Sequence, residues 1–191
     1  MRQRFGIGYD SHVFVEKKPL ILGGVKIKHP KGLKGHSDGD AVCHAVIDAL
    51  LGAAAMGDIG QLFPDTDKKW KGANSLELLR EVRRRILAAS YTLVNVDVTV
   101  ITEAPKLGPH IAEMRDNISG ALGLPLNSVS VKAKTNEKMD SVGSGKGLQV
   151  RFMGMRNQQE FKFNGLFFQN PADRFIGTRN IYGCRPFSAY Q

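Results

Sequence analysis

The sequence predicts an α/β fold built on a single sheet. Three observations predict it. Residues 93–101 and 128–134 alternate apolar and polar side chains with the period of two that a half-buried strand shows. Residues 40–56, 75–89 and 109–122 place apolar side chains at helical spacing. These pieces follow one another as strand, helix, strand, helix, strand, the order that layers helices on one sheet.

Taken in order, residues 5–9 and 20–27 read as short strands broken by glycines. Residues 40–56 read as a helix whose apolar positions are Ala41, Ala45, Ile47, Ala49, Leu50 and Leu51, with Gly57 as its stop. In the second helix Leu76, Leu79, Val82, Ile86 and Leu87 form the buried stripe, and Glu77, Arg80, Glu81, Arg83, Arg84 and Arg85 form the wet face. The next strand turns Leu93, Val94, Val96, Val98 and Val100 to apolar positions. The third helix carries Pro109 near its first turn, where proline is tolerated. Val129, Val131 and Ala133 share one side of the strand after it.

The pattern changes near Gly147. Residues 154–191 show no clean period, yet these 38 positions hold eight of the 15 aromatic residues. That is too aromatic for a disordered tail and too short to close a core of its own. The expected division is therefore a domain over 1–153 and an aromatic-rich tail over 154–191.

Composition narrows the function. The 191 residues are 42% hydrophobic and 24% charged, an ordinary globular balance. No apolar run approaches the roughly 20 residues of a membrane-spanning helix. Two cysteines, Cys43 and Cys184, are too few for a disulfide scaffold and fit a reducing compartment. The net charge of +9 admits two readings, a nucleic-acid-binding protein or a basic enzyme that attracts phosphorylated small molecules. The last 38 residues hold five basic and two acidic side chains, so a third of the excess lies outside the patterned region.

Chemistry-bearing residues cluster early. Asp10 and His12, two apart, share a face if the strand is regular, and His44 lies on the helix that follows. An aspartate and two histidines with an open fourth position suit catalytic zinc. The alternative is that each histidine is a surface or hydrogen-bonded core residue. Asp48, four residues after His44, either orients that ring or is a solvated charge. The glycine- and proline-bearing loop from Asp58 to Asp67 offers carboxylates either to sugar hydroxyls or Mg²⁺ or simply to turns. Lys132 to Lys138, ending a strand, combines lysine, a threonine hydroxyl and a carboxylate that together can hold a phosphate and a hard cation. Gly143 to Gly147 lacks the spacing of a Walker loop.

In this order, Gly6-Ile-Gly-Tyr-Asp-Ser-His12, His36-Ser-Asp-Gly-Asp40, His44, Gly57 to Asp67, Glu103-Ala-Pro-Lys106 and Lys132-Ala-Lys-Thr-Asn-Glu-Lys138 resemble the 2-C-methyl-D-erythritol 2,4-cyclodiphosphate synthase family over about residues 4–147. The resemblance implies a mixed sheet covered on one face by helices, an α/β sandwich, assembled as a homotrimer with sites between subunits. It implies a phosphorus–oxygen lyase of the non-mevalonate isoprenoid pathway, converting 4-diphosphocytidyl-2-C-methyl-D-erythritol 2-phosphate to the cyclic diphosphate and CMP. Asp10, His12 and His44 would hold one zinc per subunit, and Glu137 a Mg²⁺ or Mn²⁺ bound with the substrate diphosphate. Lys134 and Thr135 would contact phosphate, and with Glu137 form the catalytic set. His36 and Ser37 would meet the methylerythritol phosphate end, Asp58, Gly60 and Asp65 the sugar-alcohol hydroxyls, and Ala104, Pro105, Lys106 and Leu107 the cytosine. The implied location is the bacterial cytoplasm, with a processed plastid protein as the alternative, and no membrane or nucleic-acid partner.

The chain departs from the family pattern in places. Lys134 stands where many members have threonine, and Ser144 and Lys146 stand where arginine and glutamate line the trimer axis. Residues 148–153 read as a weak substitute for the family's last apolar strand. A native appendage and an end translated out of frame past about Gly147 would both look this way. The rival functions are a nucleic-acid-binding protein and an inactive paralogue of the cyclase.

Overall fold

The computed structural model describes residues 2–158. Its first strand, β1 (Arg2–Glu16), is three times as long as the glycine-broken segment expected at 5–9. The polar run Asp10 to His12 hides it from a search for apolar alternation. Its backbone is satisfied on both sides, by β4 (Lys31–Leu33) at one end and by β7 (Gly147–Gln158) along its length, both antiparallel.

Residues 20–27 divide into β2 (Leu20–Leu22) and β3 (Val25–Ile27), a hairpin closed by Gly23 and Gly24 at φ 56° and 73°. Both glycines therefore sit in the left-handed region that primed hairpin turns require. Their amides donate to the carboxylate of Asp40, at 2.9 and 2.6 Å. The same carboxylate accepts from the amides of Val42 and Cys43 and so caps α1 (Ala41–Ala54). Asp40 is fully buried, and this one side chain ties the hairpin to the start of the helix.

α1 lies directly on β1. A Cβ on Gly6 would stand 1.9 Å from the carbonyl oxygen of Ala49, and one on Gly8 1.9 Å from that of Ala45. Glycine on the strand and alanine on the helix let two backbones approach where larger side chains would hold them apart. After the short α2 (Ile59–Leu62), α3 (Ser75–Ala88) buries Leu78, Leu79, Val82 and Ile86. Leu87, expected in that stripe, is 43% exposed. It follows Ile86 by one residue, a rotation of about 100° that carries it off the buried face. α4 (Ile111–Leu122) buries Met114, Ile118, Ala121 and Leu122.

The main sheet has the order β4-β1-β7-β5-β6. β5 (Tyr91–Ile101) runs parallel to β6 (Val129–Lys134) and antiparallel to β7, so the sheet is mixed, as expected. Its inward residues, Val96, Val98, Val100, Val129, Val131, Leu148 and Val150, join those of α1, α3 and α4 in one core. On the opposite face of β1 and β7, Phe5, Ile7, Tyr9, Val13 and Met153 are all more than half exposed. Among the described residues no helix is long and apolar enough to cross a membrane.

The chief correction to the sequence reading concerns the segment after Gly147. It is no weak substitute: β7 is the central strand, paired with β1 from Gly147 and with β5 from Gln149. Leu148, Val150 and Phe152 are buried, while Arg151 and Met153 point out. That alternation is present in the sequence, with Gln149 and Arg151 at its polar positions, but it is short. β7 runs through position 153 to Gln158. The aromatic-rich stretch beyond lies outside the described residues.

Candidate metal centre and substrate cavities

The close approach of α1 to β1 brings His44 over the strand residues Asp10 and His12. Asp10 Oδ2 lies 2.8 Å from His12 Nε2 and 3.1 Å from His44 Nδ1. One ligand atom from each residue falls within 4.8 Å of the others, and among the described residues this is the one such group of His, Cys, Asp and Glu. The strand reading that put Asp10 and His12 on one face therefore holds.

The far nitrogens are held too. His12 Nδ1 lies 2.5 Å from the carbonyl oxygen of Lys34, which can only accept, so that nitrogen carries the proton. His44 Nε2 lies 2.9 Å from Ser37 Oγ and 3.0 Å from Ser75 Oγ. The His12 atom facing Asp10 is thereby left, in a neutral ring, to present a lone pair to a carboxylate oxygen. A proton on a ring, or a cation among the three atoms, reconciles them. The donor set thus fits a divalent metal with an open position.

Electrostatics agree. Burial pushes the Asp10 carboxyl up, but hydrogen bonds and charge from His12 and His44 outweigh it and hold it down at about 2. Burial pushes His12 down, and the Asp10 carboxylate outweighs that and raises it above 6.5. Both shifts favour a positive charge beside Asp10.

A cavity of about 360 Å³ opens beside this triad. Asp10, His12, His44, His36, Ser37, Gly60 and Asp65 line it, together with Asp48, Phe63 and Trp70. Phe63 and Trp70 meet edge to face, ring centroids 4.9 Å apart, and form an apolar wall opposite the polar groups. Asp48 does not bond to His44. It accepts the Ile59 amide at 2.8 Å and so fixes the start of α2. Asp58 turns its carboxylate to the amide and side chain of Gln61, capping the same short helix.

A second cavity, about 330 Å³, is lined by Thr102, Pro105, Lys106, Leu107, Lys134 and Thr135 among others. The Ala104–Pro105 peptide is cis, and the Ala104 carbonyl accepts from the Thr102 hydroxyl at 2.8 Å. Glu137 is exposed and accepts from the Thr135 hydroxyl. Glu103 braces this loop by accepting the amides of Asn136 and Lys138, at 2.9 and 3.1 Å. The two cavities share no lining residue.

Residues 3–154 match the YgbB family. The chain belongs to the YgbB family. The match continues past Gly147, which corrects the limit expected there and agrees with the placement of β7. Among relatives in the YgbB family, the 2-C-methyl-D-erythritol 2,4-cyclodiphosphate synthase of Burkholderia lata is 58% identical over 148 residues, 78% of this chain and 92% of its own length. A solved 2C-methyl-D-erythritol-2,4-cyclodiphosphate synthase in a CDP-bound form has a TM-score of 0.75 at 40% identity, covering 81% of this chain and 100% of its own. The bifunctional IspDF of Campylobacter jejuni has a TM-score of 0.80 at 41% identity, covering 83% of this chain and 43% of its own.

Of the residues singled out in the sequence of this YgbB-family chain, Asp10, His12, His44, His36, Ser37, Gly60 and Asp65 line one cavity, Pro105 to Leu107, Lys134 and Thr135 line another, and Asp58, Ala104 and Glu137 line neither. The sequence reading missed Ser75, Phe63 and Trp70. Ser75 carried a signal only as the first residue of a helix, and Trp70 only as the chain's single tryptophan in a lysine-rich loop. Along α3, Arg80 pairs with Glu77, and Arg84 and Arg85 share Glu81.

Proposed function

We propose that this chain is a zinc-dependent 2-C-methyl-D-erythritol 2,4-cyclodiphosphate synthase acting as a homotrimer in the bacterial cytoplasm. The observation that carries the reading is the convergence of Asp10, His12 and His44 beside a cavity, in a chain 58% identical to a relative of that name over 92% of its length.

The reaction is an intramolecular phosphoryl transfer. An oxygen of the substrate's 2-phosphate attacks the β-phosphorus, the bond from that phosphorus to the α,β-bridging oxygen breaks, and CMP leaves with the electron pair. Attacker and target are in one molecule, and a phosphate monoester needs no base to become a nucleophile. The protein's task is alignment and charge neutralisation.

Zinc held by Asp10, His12 and His44 would supply a Lewis acid for a β-phosphate oxygen, and a second cation at Glu137, Mg²⁺ or Mn²⁺, further neutralisation of the diphosphate. His36 and Ser37 bind the methylerythritol phosphate end, while Gly60 and Asp65 take its hydroxyls and Phe63 and Trp70 exclude water behind it. Asp58 acts on the same end by holding α2 in place. Ala104 to Leu107 cradle the cytosine through their backbone. Lys134 and Thr135 orient the diphosphate.

Because the two cavities share no residue, a complete site would join one copy's metal cavity to another copy's cytosine cavity. The exposed apolar face of β1 and β7 supplies the surface for that assembly. The test is release of CMP from the cytidine-diphosphate substrate by the zinc-loaded chain. Removing one of three ligands in His44→Ala should lower the rate by about a thousandfold, the equivalent of several kcal/mol. Full activity in that variant would overturn the site.

A further inference from the structure

We infer that Glu103 is a positioning residue that sets Thr135 and Glu137 for a diphosphate and ties their loop to the segment that takes the nucleobase. The inference rests on reading the second cavity as the cytidine-nucleotide end of the site.

β5 and β6 run parallel, with Ile101 opposite Lys134. The Thr102 amide donates to the Lys134 carbonyl at 2.9 Å, so the pairing continues one residue past β5. Two stretches of chain therefore leave the sheet side by side, beyond the carboxyl ends of parallel strands. That is the side on which open α/β sheets bind their ligands. Both stretches line the second cavity, one through Pro105, Lys106 and Leu107 and the other through Lys134 and Thr135.

The second stretch has a backbone that needs holding. Glu137, Lys138 and Asp140 have φ of 51°, 61° and 57°. None is glycine, and the left-handed region is costly for a residue with a Cβ. Such conformations persist only where their surroundings fix them. One bond within the loop contributes, from the Met139 amide to the Asn136 carbonyl at 2.9 Å. Glu103 adds a brace from outside the loop. Its Oε1 accepts the Asn136 amide at 2.9 Å and the Lys138 amide at 3.1 Å. The first of these amides belongs to the Thr135–Asn136 peptide and the second to the Glu137–Lys138 peptide. One oxygen thereby fixes a peptide plane at each of the two residues assigned to the diphosphate. The Thr135 hydroxyl donates to the Glu137 carboxylate, so the pair is held together as well.

Glu103 does this as an acceptor rather than as a charge. Both bonds end on Oε1, and a glutamine keeps a carbonyl oxygen at that place. A charge would be required only if Glu103 held a cation beside Glu137. One substitution separates the two roles.

The experiment compares Glu103→Ala with Glu103→Gln in the full-length, zinc- and magnesium-loaded chain, by amide hydrogen exchange without nucleotide and by calorimetric titration with CDP. In Glu103→Ala the Asn136 and Lys138 amides should exchange about tenfold faster, and CDP should bind about tenfold more weakly. Glu103→Gln should restore both to within about threefold of the wild type. The amides of Val96 and Val98 in β5 should exchange as in the wild type throughout. A glutamine variant that behaves as the alanine variant does would overturn the inference, because charge would then be the property required. An alanine variant that binds CDP like the wild type would overturn it too. So would loss of protection at Val96 and Val98, which would make Glu103 a support of the fold. None of these readouts needs turnover. A chain that gives the expected pattern but never releases CMP from the substrate leaves the positioning role standing and overturns the proposed function instead.

Discussion

The carbonyl oxygen of Ala49 stands 1.9 Å from where a Cβ on Gly6 would be. Helix and strand meet there backbone to backbone, and the same contact lowers His44 onto Asp10. Gly6→Ala cannot be absorbed by a flexible side chain, because the obstacle is main chain. It should destabilise the fold by about 1–3 kcal/mol or more and weaken zinc binding as α1 is pushed away. Chemical denaturation together with zinc titration checks both. An unchanged midpoint would mean that α1 and β1 are not seated as described.

Phe152 reports on the other half of the sheet. It is 2% exposed on the inward face of β7. Phe152→Ala should cost about 3–5 kcal/mol, read from the urea midpoint. A loss under 1 kcal/mol would return β7 to the marginal role its sequence suggested.

The histidine–aspartate pairing predicts a pH dependence of opposite sign with and without metal. The folded pKa of Asp10 is depressed to about 2, so its contribution is present above 3.8 and lost as pH falls toward 2. The folded pKa of His12 is raised, so its contribution is full below 6.5 and lost as pH rises through the raised value. The metal-free fold is then best supported between these limits. Zinc competes with the proton on His12, so its affinity rises as that proton leaves. The increase in melting temperature on adding zinc should be larger at about pH 8 than at about pH 6. An increase that does not change between them would contradict the assignment of His12 as a ligand.

How much of this was legible before the structure depends on what kind of signal each residue leaves. Val96, Val98 and Val100 advertise a strand because they alternate over a long run. Leu148, Val150 and Phe152 alternate just as well, but only over these five residues, and the central strand reads as weak. The candidate metal group was legible because Asp10 and His12 obey strand spacing. The partners of His44 were not, because Ser75 reaches it across 31 residues and Asp38 reaches Ser75 across 37. No local period encodes such a contact.

The open sheet face makes the assembly testable. Ile7 is 80% exposed in the single chain, so Ile7→Arg should leave the monomer fold intact. It should break the proposed homotrimer, seen as a fall in mass by sedimentation, and remove activity with it. A full-sized, active oligomer would place the interface elsewhere.

The most direct measurement is ³¹P NMR of the zinc- and magnesium-loaded chain with 4-diphosphocytidyl-2-C-methyl-D-erythritol 2-phosphate. The account predicts equal amounts of CMP and cyclic diphosphate, formed about a thousandfold more slowly with His44→Ala. A zinc-loaded, trimeric wild-type chain that leaves the substrate intact would contradict it.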